Sequence, residues 1–151
     1  MKFFQPAGLS LRRRAAAFTL VEVTIAMSIA ALSLGAIVNG YVISAQRAEW
    51  SAYSLAAHSL AMQGVEQARA AKWDLDGNPP VDELVIGNFP QRINTLDIPR
   101  SGTNIVYATN FTTITTISTA PQLKLVQVDC VWKFLSRGPF TNTVTTYRTV
   151  D

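Results

Sequence analysis

Glu22 is the one charged side chain between Ala15 and Gln46, in a stretch otherwise built from Val, Ile, Leu, Ala, Met and small polar residues. A carboxylate within an apolar helix costs about 2.5–3.5 kcal/mol on insertion scales, so an acid kept there is expected to have a partner or to lie close enough to the interface to reach water. Glu22 is eight residues beyond Arg14, which leaves the interfacial reading open. The chemistry it offers is ion pairing. The remaining reactive groups are scattered. His58 is the only histidine and Cys130 the only cysteine, so neither has a second soft ligand at metal-binding spacing, and Cys130 has no partner for an intramolecular disulfide. Asp74, Asp76 and Asn78 open like a calcium loop, but Pro79 stands where the sharp turn needs glycine and Val85 where the loop needs a bidentate glutamate. They are read as a helix stop and a turn; a calcium site drawing on Asp82 or Glu83 is the lesser alternative. With no His–acid pair beside a Ser or Thr and no Gly-rich phosphate loop, no enzyme, cofactor or metal is expected.

The elements that position these residues are bounded by composition. At 151 residues and 16.5 kDa the chain is about one domain. Its 48% hydrophobic and 15% charged residues, against about 25% charged in soluble chains, exclude general disorder. The net charge of +3 is misleading until it is divided. Residues 1–17 hold Lys2, Arg12, Arg13 and Arg14 with no acid, and the remainder has 9 bases against 10 acids. The basicity belongs to the first residues, and no nucleic acid is expected as a partner.

Val23 to Gln46 is a run of 24 uncharged residues, long enough to cross a bilayer as a helix. The Arg12-Arg13-Arg14 cluster marks the cytoplasmic side, so the chain beyond the run lies outside. Three readings compete: a cleaved secretory signal, a plain anchor, and a specialised signal whose apolar helix survives cleavage. A secretory signal has only about 7–15 apolar residues before a small-x-small site. Ser33-Leu34-Gly35 has that form, but the run continues through Ala36 to Ile43, and such a signal has no use for Glu22. A twin-arginine signal is disfavoured by Ala15-Ala16-Ala17 directly after Arg13-Arg14.

Ala17-Phe18-Thr19-Leu20-Val21-Glu22-Val23, after a short basic leader and before the long apolar run, resembles the class III signal of type IV pilins and pseudopilins. The resemblance implies that a prepilin peptidase cuts between Ala17 and Phe18, that the Phe18 amine is N-methylated, and that Glu22 pairs with the Phe18 amine of a neighbouring subunit during assembly. The family places glycine before the cut, and Ala17 keeps the small size while bearing on the rate of processing. Implied partners are the peptidase, other pilin or pseudopilin subunits through the helix, an inner-membrane assembly platform, and membrane lipid. The implied location is the bacterial inner membrane, single-pass with the C-terminal domain outside the cytoplasm, then a pilus or a periplasmic pseudopilus.

Past the apolar run no proline occurs before Pro79, and Tyr41-Ala45-Ala48-Ala52-Leu55-Ser59-Met62-Val65 forms an apolar or small stripe at helical spacing. A helix from Phe18 to Trp73 would reach roughly 84 Å. That is too long for a domain of this size to cover, so its first part must find lipid or other subunits. Small residues from Ala26 to Ala36 would let helices approach closely in lipid, and Gly35 and Gly40 permit a bend. After residue 103 strands dominate: Asn104–Ala108, Phe111–Ile117, and Leu123–Phe134 with Val126, Val128, Cys130, Trp132 and Phe134 on one face. Cys130 is read as a small core hydrophobe. Ser136-Arg137-Gly138-Pro139 turns the chain, and Asn142–Val150 can return antiparallel.

The expected fold class is α+β: one long N-terminal helix, transmembrane then amphipathic, on a small antiparallel β-sheet, as the pilin resemblance also implies. The expected parts are a cleaved leader at 1–17, a helix at 18–73 with its transmembrane half at about 18–43, a connecting loop at 74–103, and a β head domain at 104–151. Leu123–Trp132, following Glu66–Trp73 on the helix, looks like the PilV-type minor pilins and the I-type minor pseudopilin of type II secretion. The expected function is a structural subunit, a minor pilin or minor pseudopilin. Its competitor is a membrane-tethered extracytoplasmic binding module with an uncleaved anchor.

Overall fold

The computed structural model describes residues 19–96, 105–135 and 137–151. The expected leader, 1–17, lies outside them. The chain divides into two compact units, one up to Ile43 and one from Ser44 to Asp151.

Helix α1 runs from Leu20 to Ala70, 51 residues without a proline. In the first unit it is the only described element, and every described side chain there is exposed. In the second unit α1 packs on an antiparallel sheet. The architecture is therefore a long helix on antiparallel strands, α+β, in agreement with the pilin-like fold expected.

Two sheets come after the helix. Strands β1 (Trp73–Asp74) and β2 (Val81–Asp82) form a small antiparallel pair. Strands β3 (Arg92–Thr95), β4 (Tyr107–Thr119), β5 (Gln122–Phe134) and β6 (Arg137–Thr149) form an antiparallel sheet in the order β3-β4-β5-β6. Several expectations are corrected. The helix stops at Ala70, and Trp73, expected as its last residue, is in a strand. Arg92–Thr95, expected in a connecting loop, pairs with Tyr107–Asn110. Of the first run expected as a separate strand, Asn104 lies outside the described residues and Ile105 and Val106 precede the strand, while Tyr107 and Ala108 are continuous with the second run, because Thr109 and Asn110 keep the β4–β5 register between Ala108 and Phe111. The turn expected at residues 136–139 is shorter, since Arg137, Gly138 and Pro139 already belong to β6; Ser136 lies outside the described residues.

The strict alternation of β5 explains the core. Val126, Val128, Cys130, Trp132 and Phe134 all turn to the helix side, as their spacing requires, and Lys124 joins them. On the helix the buried residues are Tyr53, Ala57, Ala61, Val65 and Ala68, of which Val65 alone belongs to the stripe expected from Tyr41 to Val65. Leu55 and Met62 of that stripe are exposed. The reason is steric. The sheet supplies large side chains, so the helix turns its small ones inward, and a Cβ on Gly64 would stand 2.9 Å from Val128 Cγ1.

The end of α1 is finished by side chains from β6 and beyond. The last carbonyls of a helix have no partner within it. Arg148 donates to the carbonyl oxygens of Ala68 (3.3 Å), Arg69 and Ala71 (3.5 Å). Arg148 in turn pairs with Asp151 at 2.6 Å, and Asp151 accepts the Trp73 N–H at 2.8 Å. These contacts hold the outgoing chain against the sheet.

Candidate functional site

The start of α1 is built by three residues, Thr19, Glu22 and Val23. Thr19 precedes the helix, and its carbonyl accepts the Val23 N–H at 3.2 Å. Its hydroxyl accepts the Glu22 N–H at 3.3 Å, while the Glu22 carboxylate reaches back to accept the Thr19 N–H at 2.9 Å and the Thr19 hydroxyl at 3.0 Å. This is a reciprocal capping box, in which two otherwise orphaned N–H donors are satisfied at once. The Thr19-x-x-Glu22 spacing is its signature and could have located it from sequence alone.

The geometry gives Glu22 an orientation. Its carboxylate points toward the N-terminal end of the helix and is held on the peptide nitrogen that joins Thr19 to Phe18. Ala17 and Phe18 themselves lie outside the described residues. A negative group there also complements the positive end of the helix dipole.

Three hydroxyls farther along the apolar run are satisfied within the helix. Thr24 donates its hydroxyl to Val21 O at 2.9 Å, Ser28 to Thr24 O at 2.8 Å, and Ser33 to Ile29 O at 2.8 Å. The surface that remains is predominantly apolar, and α1 contains a segment long and apolar enough to cross a membrane. A segment of that kind suits lipid tails or other helices, and Glu22 is the one acid between Ala15 and Gln46.

The other residues singled out from sequence are not brought together. Asp74 accepts the Gly77 N–H at 2.8 Å and lies 3.6 Å from Lys72 Nζ. Asp82 is paired with the buried Lys124 at 2.8 Å, and Lys124 Nζ also sits 4.5 Å from the centre of the Trp73 ring. Glu83 accepts the Lys72 N–H at 3.0 Å. These carboxylates are thus engaged by the protein's own donors, and no cluster of three metal-ligating side chains occurs among the described residues. His58 is exposed on α1. Cys130 is buried in the sheet, where burial pushes its thiol up to about 11 and keeps it protonated.

The family model for the prokaryotic N-terminal methylation motif matches residues 12–38. The match takes in the arginine cluster, the Ala17–Phe18 junction, the capping box and more than half of the apolar run. The chain therefore carries a type IV pilin-like prepilin signal. No curated protein and no solved structure matches it. Motif and helix together support a type IV pilin-like subunit with a membrane-anchoring helix. They imply processing by a prepilin peptidase and assembly with other pilins, and they fit anchoring in the inner membrane.

Proposed function

We propose, with the prepilin signal as premise, that the protein is a minor pilin or minor pseudopilin, held in the bacterial inner membrane by α1 and then built into a type IV pilus or a type II secretion pseudopilus. A prepilin peptidase hydrolyses the Ala17–Phe18 bond, residues 1–17 are lost, and the new Phe18 amine is N-methylated. The amine then stands one residue before Thr19, whose N–H and hydroxyl already orient the Glu22 carboxylate. Glu22 of one subunit and the Phe18 amine of its neighbour offset each other's charge in an apolar bundle, where either alone would be uncompensated. Packing of the apolar helices supplies cohesion, and the assembly platform extracts subunits from lipid into the fibre.

One observation carries the reading most. The methylation motif includes the start of a helix whose apolar side chains are uncovered in the first unit, and the same helix packs on a sheet in the second. The deciding measurement is the intact mass and N-terminal residue of protein recovered from membranes of a strain with an active prepilin peptidase. A start at methylated Phe18 supports the subunit. An intact Met1 favours the membrane-tethered binding module with an uncleaved anchor, and a start beyond Gly35 indicates secretion as a soluble domain.

A further inference from the structure

Within the unit Ser44–Asp151, one end of the sheet gathers large apolar side chains that stay partly uncovered. Leu135, between β5 and β6, is 59% exposed; Tyr107 and Ile105, at the start of β4, are 58% and 49% exposed; Trp50 on α1 is 39% exposed. Leu135, Tyr107 and Ile105 line an open cleft of about 640 Å³ whose floor includes Tyr53, Trp132 and Phe134. Trp50 adjoins it, with its ring 6.1 Å from that of Trp132 and 5.8 Å from that of Phe140. Tyr53 packs on Phe134 at 5.6 Å, so this is the end of the sheet that meets the first turns of α1 in the unit.

Leu135 is doubly unusual. Its φ of 54° lies in the left-handed region, where turns select Gly, Asn or Asp and where a leucine is strained. Its side chain is nevertheless apolar and largely uncovered, so core packing does not explain the choice. A strained residue kept without a packing reason points to function. The surrounding charge is also biased: Arg47, Lys133 and Arg137 are exposed at this end, with Glu49 as the acid on the cleft rim. Trp, Tyr and Leu interleaved with Arg and Lys are the composition that settles at a bilayer interface. The uncharged run of α1 closes at Gln46, and Trp50 comes on the same helix within a few residues.

We propose that this end of the domain is a second lipid contact, with Leu135, Trp50, Tyr107 and Ile105 seated in the headgroup layer of the bilayer that holds α1 and with Arg47, Lys133 and Arg137 over its phosphates. The proposal rests on the reading of α1 as a membrane anchor. It holds the domain against the membrane in the unassembled subunit, so that joining a fibre requires lifting it off.

The test uses the full chain in vesicles of phosphatidylethanolamine and phosphatidylglycerol, with a nitroxide on Leu135→Cys, on Ile37→Cys in the apolar run, or on Thr119→Cys at the far end of the sheet. Cys130 stays unlabelled, being buried with its thiol at about 11. Accessibility to oxygen, which partitions into lipid, is compared with that to an aqueous nickel chelate. The Leu135 label is expected to be several-fold less accessible to nickel than the Thr119 label and shallower than the Ile37 label. A Leu135 label as wet as the Thr119 label, with the Ile37 label in lipid, overturns the contact and leaves the anchor standing. An Ile37 label in water removes the anchor as well. A Leu135 label shielded from both reagents overturns lipid in favour of a protein neighbour. Leu135→Gly suits the left-handed backbone and so retains the fold; in that background a label on Tyr107→Cys should become several-fold more accessible to nickel, and unchanged accessibility overturns the part given to Leu135.

Discussion

From Leu20 to Ile43, α1 presents large aliphatic side chains on every side and none is covered, whereas from Tyr53 to Ala68 its inward face is mostly alanine and is buried. The contrast is one of partner size. Lipid tails adapt to any apolar contour, so the first stretch needs length and apolar character beyond Glu22 but no particular shape. The sheet is rigid and already filled by Trp132, Phe134, Val126 and Val128, so the second stretch must be small wherever it meets them. Apolar character alone specifies an anchor, while packing on a sheet demands complementary volumes.

Substitutions in each stretch can break this contrast. The largest effect is expected from Trp132→Ala, which removes a buried ring and orphans its hydrogen bond to Asn142 Oδ1 (2.8 Å). It should cost the domain about 3–5 kcal/mol and leave membrane attachment untouched. Near-UV circular dichroism on heating in detergent, paired with vesicle flotation, checks both halves; loss of flotation would show that the anchor depends on the folded sheet. Glycines give a second comparison. Gly64→Ala places a Cβ 2.9 Å from Val128 Cγ1 and is expected to destabilise the domain by about 1–3 kcal/mol despite the better helix propensity of alanine. Gly35 has no atom within 4 Å of the same position, and Gly35→Ala should instead stabilise the isolated helix by about 1 kcal/mol. If both changes lower the melting temperature equally, the difference between the stretches is not one of packing. Glu22→Ala opens the capping box at the first turn of α1, with insertion into the membrane intact or improved and domain stability unchanged. Incorporation into fibres is expected to vanish, and normal amounts of the variant in a sheared-fibre fraction would refute the proposed pairing with the Phe18 amine.

The same contrast governs how legible each part was in the sequence. The apolar run, its charge asymmetry and the alternation of Val126 to Phe134 depend on local composition or period, and both can be read directly. The buried face of the helix cannot. Tyr41–Val65 offers two overlapping stripes of comparable apolarity, and the sheet decides between them by volume, so the face with Leu55 and Met62 loses to the one with Ala57 and Ala61. Arg92–Thr95 carried no strand signal either, because a four-residue edge strand with Arg, Asn and Thr has no apolar pattern and is defined by its pairing with Tyr107–Asn110. At the site, Glu22 was visible as an anomaly of charge, while its capping partner was hidden in plain spacing. Arg148 and Asp151 had no signal at all, since their role at the end of α1 depends on contacts made across about 80 residues of chain.

Those two residues give the smallest and sharpest prediction, because they close the helix at the end opposite the Thr19–Glu22 box. Asp151 has its carboxyl held below the usual range, first by the Trp73 N–H and then by Arg148. A carboxylate with a depressed folded-state value stabilises the fold fully above its unfolded value, about 3.9, and loses that contribution as pH falls through the lower folded value. Asp151→Asn lacks the titration. The melting temperature of the wild-type protein should therefore exceed that of the variant by a small, constant margin above about pH 5, and the margin should shrink as the pH is lowered below about 4. Asp151 is solvent-exposed, so screening keeps the effect small, and salt should reduce it further. A margin that persists unchanged to acid would mean that Asp151 acts through the shape of its hydrogen bond to Trp73, not through its charge, and that Arg148 alone neutralises the end of the helix.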